Sequence, residues 1–126
     1  MPAKYNVIAR GNPRDSDAPK KYYPSYVSSG RKTTRDLSEQ IAMISTVSSI
    51  DMLAAIESLL KTIPNELAAG NIIDLGEFGS FSLRIKSEGS ETPEEVTAHN
   101  ISNVLIQFRP GKAFKQVIND TEFKKA

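Results

Sequence analysis

Residues 74–85 read D-L-G-E-F-G-S-F-S-L-R-I, and no stretch of the chain restricts its fold more. Glycine weakens a strand and exposes backbone. Yet Gly76 and Gly79 stand beside Phe78 and Phe81 inside an apolar run otherwise patterned as sheet. This predicts a tight hairpin corner whose aromatics close a core shared by two copies of the chain and whose bare backbone can lie against phosphates.

Beyond the corner the alternation is that of a half-buried strand. Phe81, Leu83 and Ile85 point one way, while Ser80, Ser82, Arg84 and Lys86 point the other. A further strand over 104–109 repeats the pattern, with Val104, Ile106 and Phe108 on one face and Leu105, Gln107 and Arg109 on the opposite one. The residues between, about 87–103, are polar and acidic, with Glu88, Glu91, Glu94 and Glu95 around Pro93 and a lone His99. They are too many for a tight turn and too poor in apolar side chains to pack inside, which predicts a projecting β arm or a mobile loop. In the closing run R-P-G-K-A-F-K-Q-V-I-N, Pro110 suits a first helical position, and Phe114, Val117 and Ile118 form a short apolar face.

Upstream the period changes to that of helices. Thr33 or Thr34 offers an N-cap with Asp36 following, and Leu37, Ile41 and Ile44 fall at helical spacing. Ser48 opens a second helix with Asp51 three residues on. Its apolar stripe, Leu53, Ile56, Leu60, Ile63 and Leu67, is a seam that needs a partner. Pro64 belongs near the last turns, where it does least damage, and Gly70 ends the helix. Residues 1–32 form an extension with two expected strands: one carries Tyr5, Val7 and Ala9, the other Tyr22, Tyr23 and Tyr26. Pro24 confines the second to a sheet edge. Beside Lys20 and Lys21 these tyrosines resemble a nucleic-acid stacking platform, but packing on an edge strand is the favoured reading.

A chain of 126 residues has the size of one globular domain. It has no cysteine and one histidine, so thiol chemistry and His- or thiolate-based metal sites are not expected. The scattered carboxylates do not form a paired acid-base site, and no enzyme, cofactor, metal or small-molecule substrate is expected. No apolar run approaches the ~18 residues of a membrane span, and M-P-A-K-Y-N lacks a signal-peptide core, which makes the cytoplasm the expected address. The net charge of +1 hides polarity along the chain. Residues 1–35 carry eight lysines and arginines against two aspartates, 36–108 three against eleven acids, and 109–126 five against two. Basic ends suggest a phosphate-bearing partner.

Two helices, a three-stranded antiparallel sheet with a projecting arm, and a short C-terminal helix make an α+β chain. One copy would leave its seam and phenylalanines bare, so an intertwined homodimer is expected, with Leu53, Ile56, Leu60, Phe78, Phe81 and Phe108 in the dimer core. The order helix, helix, G-x-F-G-x-F hairpin, arm, F-x-x-G-K-x-x-K resembles the HU and integration host factor family of bacterial histone-like proteins. Gly76, Phe78, Gly79 and Phe81, then Phe108, Gly111, Lys112 and Lys115, carry the match over roughly residues 33–119. The leader is similar to that of the longer HU-like proteins of Bacteroidetes.

The resemblance implies a DNA-binding domain over 33–126: a homodimeric, nucleoid-associated protein whose sheet saddle binds double-stranded DNA without sequence preference. It implies phosphate contacts from Gly79, Ser80, Arg84 and Lys86, and from Gly111, Lys112 and Lys115 at the final helix. Arg109 is added on its chemistry. The arm departs from the family, in which it is basic and carries a wedging proline. Here carboxylates surround Pro93, so weaker bending is expected, or a role in protein contacts. The alternative is an interaction or assembly protein on this scaffold with weak or no DNA binding.

Overall fold

The computed structural model describes residues 2–126. Strand β1 (Ala3–Arg10) pairs antiparallel with β2 (Lys21–Val27), with Tyr5 opposite Tyr26 and Val7 opposite Pro24. Short polar side chains shape the turn between them: Asn12 accepts from the Arg14 amide at 2.9 Å and Asp15 from the Asp17 amide at 3.0 Å. Pro24 lies on an edge strand, where its missing N–H costs no ladder bond.

Helix α1 (Thr34–Met43) begins at Thr33 in a reciprocal capping box. The Thr33 hydroxyl accepts from the Asp36 amide at 3.2 Å, and the Asp36 carboxylate accepts from the Thr33 amide at 2.9 Å. Ile44, expected on the apolar stripe, is instead the C-cap and is 86% exposed. Helix α2 (Ser49–Ala68) is capped by Ser48, whose hydroxyl accepts from the Asp51 amide at 3.1 Å. Pro64 stands inside its C-terminal part. Beyond the C-cap Ala69, the Gly70 amide donates to Leu67 and the Asn71 amide to Glu66, a Schellman ending.

Strand β3 (Ile73–Asp74) leads to a 3-10 turn at Gly76–Phe78, then β4 (Gly79–Ser87), β5 (Ile101–Pro110), α3 (Lys112–Asn119) and β6 (Phe123–Lys125). The strands form two sheets, ordered β2-β1-β6 and β3-β4-β5. The α+β class is as expected; its details differ at three places. Pro110 does not open the last helix but ends β5 opposite Gly79, and Gly111 in extended conformation becomes the N-cap. The Gly111 amide is held by the Phe78 carbonyl at 2.9 Å, which keeps the backbone extended for one residue more.

The chain also runs on past α3. Strand β6 lies parallel to β1, with Ala3 opposite Phe123, and it satisfies backbone groups on that edge of β1: the Ala3 amide donates to Glu122 at 2.8 Å and the Ala126 amide to Tyr5 at 2.9 Å. Finally, the β4–β5 arm ends in a folded tip. The β4–β5 ladder shifts register between Lys86 and Ser87, and the tip folds into 3-10 turns at Pro93–Glu95 and Ala98–Asn100. The Asn100 side-chain amide closes it by donating to the Glu88 carbonyl and the Ser90 hydroxyl, each at 2.8 Å.

Packing within the chain joins α1 to α2, β4 to β5 and β1 to β2. The first sheet has no contact of comparable extent with any helix or with the second sheet. Among the described residues Leu67 is the one buried large apolar side chain. Leu53, Ile56, Phe81 and Phe108 are half-buried, and Leu60 and Phe78 are about half exposed. On the apolar face of the second sheet, Ile85, Val104 and Ile106 are open to solvent, Ile106 at 75%. The seam and this face therefore lack cover within one protomer.

Candidate nucleic-acid interface

Four phenylalanines fix the corner. Phe81 and Phe108 lie opposite one another in the ladder with ring centroids 4.8 Å apart, and Phe78 meets Phe114 of α3 edge-on at 5.0 Å. Phe108 lies 5.7 Å from both Phe78 and Phe114, so the cluster ties the start of α3 to the base of the hairpin.

Space there is taken up to contact. A Cβ on Gly79 would stand 2.5 Å from the Arg109 carbonyl oxygen and 2.9 Å from two carbons of the Phe108 ring. Gly79 also has φ +142 and ψ −171, a conformation nearly reserved to glycine. A Cβ on Gly111 would run into the Glu77 carbonyl. The expected corner is thus present, made by a 3-10 turn closed by the Leu75 amide donating to the Gly79 carbonyl at 2.9 Å.

Gly79, Ser80, Arg109 and Gly111 line one open depression of about 310 Å³. Ser80 pairs with Arg109 across the ladder, and Arg84 pairs with Leu105 and Lys86 with Asn103. Paired residues share a face, so Ser80, Arg84, Lys86 and Arg109 lie on the polar side of the sheet. Arg84, Lys86 and Arg109 are all exposed. Arg84 and Lys86 lie four and six residues along β4 from Ser80, about 13 and 20 Å towards the tip. Lys112 and Lys115 belong to the corner instead, both exposed on α3, three residues apart and so on neighbouring surface.

The candidates divide into a compact corner group and two cations further out along the hairpin. Asp74 was not among them. It pairs with Ser80 and so joins the polar face, and it lines the same depression while accepting from the Gly76 amide at 2.8 Å. Only strand pairing reveals this, because β3 is two residues long and shows no alternation of its own. Among the described residues no group of three metal-ligating side chains gathers, and no helix is long and apolar enough to cross a membrane.

Residues 1–125 match the family described as an HU domain fused to wHTH, Ig, or glycine-rich motif. The chain is 34% identical over 97 residues to integration host factor subunit alpha of Xanthobacter autotrophicus, covering 73% of this chain and 90% of that one. It is 30% identical over 89 residues to DNA-binding protein HU of Thermus thermophilus, covering 68% and 91%. In fold it is similar to Anabaena HU from an HU–DNA cocrystal, with TM-score 0.55, 21% identity, and 70% of this chain and 98% of that one covered. It is also similar to a Bacteroides vulgatus protein described as a candidate DNA-binding protein. There the TM-score is 0.61 at 15% identity, and the match covers 97% of this chain but only 47% of that longer one.

Proposed function

Because the chain belongs to the HU and integration host factor family of DNA-binding proteins, we propose that it is a homodimeric, nucleoid-associated protein of the cytoplasm that binds double-stranded DNA without sequence preference. The observation that carries this reading is the shared face of Ser80, Arg84, Lys86 and Arg109, with Lys112 and Lys115 beside its base. Cations and bare backbone suit phosphates, and phosphate contacts position a duplex without reading its bases. The start of α3 adds amide N–H groups, with Gly111 allowing backbone to approach closely.

Dimerisation is supported by the protomer's lack of a core of its own. A second copy laid on the seam and on Phe81, Ile85, Val104, Ile106 and Phe108 would bury side chains that each stabilise by about 1.5–3 kcal/mol. Two copies also double the cationic face. The work of such a dimer is architectural and needs no catalytic group.

The test is titration of duplex DNA at several salt concentrations. Binding should weaken steeply with salt, since log K falls by about 0.9 per phosphate contact for each decade of salt. Lys112→Ala/Lys115→Ala should lower both the affinity and that slope. Equal affinity and slope in the double variant would refute the assignment of α3. No measurable binding by the parent would favour the assembly-protein reading, to which the exposed acids Glu88, Glu91, Glu94 and Glu95 are suited.

A further inference from the structure

The first sheet has two faces of opposite character. Its register places Tyr5 with Tyr26, Val7 with Pro24, and Ala3 with Phe123 on one side. That face forms an open apolar depression of about 580 Å³ in which Tyr22 and Tyr26 are about 70% exposed. The other side brings Lys4 against Lys124 at one end and Arg10 against Lys21 at the other, with the Asn6–Ser25 and Ile8–Tyr23 pairs between and Val27 beside Lys4.

No carboxylate lies on any of the three strands. The flanking ones are Asp15 and Asp17 in the β1–β2 loop and Glu122 just before β6. Like charges directly opposite one another destabilise a sheet. Here two such pairs share one face, a cost that an anionic ligand would remove. Arg10 has its guanidinium carbon 5.8 Å from the Tyr23 ring centroid, which orders the charge without neutralising it.

We infer that this basic face is a second binding surface for the phosphate backbone of duplex DNA, separate from the hairpin and α3. It rests on the duplex-binding reading above and enlarges the footprint. Lys4 and Arg10 stand six residues apart on β1, about 20 Å, enough to reach across the ~12 Å major groove to the backbone on either side. Continuity with the first surface comes through the chain itself. Only residues 120–122 separate α3, bearing Lys112 and Lys115, from β6, bearing Lys124. Duplex DNA is favoured over a single strand because Tyr5, Tyr22, Tyr26 and Phe123 lie on the face away from the cations Lys4, Arg10, Lys21 and Lys124, and Tyr23, which shares the cations' face, already has Arg10 over its ring.

The experiment measures binding of the full chain to duplexes of about one and about three helical turns, at about 50 and 200 mM salt. In Lys4→Gln/Arg10→Gln/Lys21→Gln/Lys124→Gln, affinity for the short duplex, which fills the first surface alone, should stay as in the parent. Affinity for the long duplex should fall at least tenfold. Its loss between the two salt concentrations should shrink about 3.5-fold for each phosphate contact removed. Parental binding to both lengths overturns the inference.

Lys112→Ala/Lys115→Ala separates the two readings. It should weaken binding to both lengths; if it does while the sheet variant binds as the parent, only the second surface falls. A parent that binds neither duplex overturns both. Lys4→Gln/Lys124→Gln guards against misfolding: relieving the like-charge pair should leave Tm equal or higher while long-duplex affinity drops. If Tyr22→Ala/Tyr26→Ala reproduces the loss with dissociation to monomers, while the charge variants do not, the sheet is a contact between copies and the inference is wrong.

Discussion

Gly79→Ala should be strongly destabilising, because strain and crowding act at the same position. At φ +142 and ψ −171 any residue with a Cβ is strained by about 1–3 kcal/mol. The new Cβ would also stand 2.5 Å from the Arg109 carbonyl oxygen and 2.9 Å from the Phe108 ring, so something must shift. The ring cannot swing freely, because Phe78, Phe81 and Phe114 all pack on it. Forcing such a site open costs about 1–3 kcal/mol more. Together this is about 2–6 kcal/mol out of the ~5–15 typical of a domain.

Urea unfolding at one fixed protein concentration reads the effect, because the proposed dimerisation would make stability depend on concentration. With a slope of about 1–3 kcal/mol/M, the midpoint should fall by roughly 1 M or more. Gly89→Ala is the control: nothing lies within 4 Å of the added Cβ and its φ is not in the positive range, so its midpoint should match the parent. If Gly79→Ala unfolds with Gly89→Ala and the parent, the corner is not built as described.

Ile106→Glu, a charge set on the bare apolar face, should convert a dimer to monomers in sedimentation and make unfolding start at lower temperature. Ser48→Ala removes the acceptor of the Asp51 amide at the start of α2 and should cost about 1 kcal/mol in chemical unfolding. Hydrogen bonds from the Thr33 backbone and side chain hold the Asp36 carboxyl below its ordinary 3.8. Because the folded value is the lower one, the stabilisation is whole above pH 3.8 and is lost as pH falls through the folded value. Asp36→Asn should therefore lower Tm near neutrality and flatten its decline in acid; a parallel decline in both proteins would show the carboxylate to be idle.

Much of the local structure could be read directly from residue types. Ser48 caps the helix it was expected to cap, and of Thr33 and Thr34 it is Thr33 that caps the first, because a cap is a hydrogen bond closed within three residues. The alternation from Ser80 to Lys86 and from Val104 to Arg109 predicted which side chains share a face, and the ladder pairs them in that way. Pro110 misled, since its fixed φ suits a strand end as well as a helix start; the bond between the Gly111 amide and the Phe78 carbonyl decided between them. The form of the arm's tip was not legible, because the Asn100 side chain folds it back on Glu88 and Ser90, a choice no periodicity records.

The chain's residues by themselves determined its helices, its strand faces and its glycine-phenylalanine corner, all consequences of repeats and bonds spanning a few positions. Tertiary structure alone decided that β6 joins β1, that Asp74 enters the polar depression, and that Lys4 meets Lys124. These are pairings between short segments, in one case from opposite ends of the chain. A segment of two or three residues has no period to read, so its neighbour is chosen by the backbone hydrogen bonds that remain unsatisfied once everything else has folded.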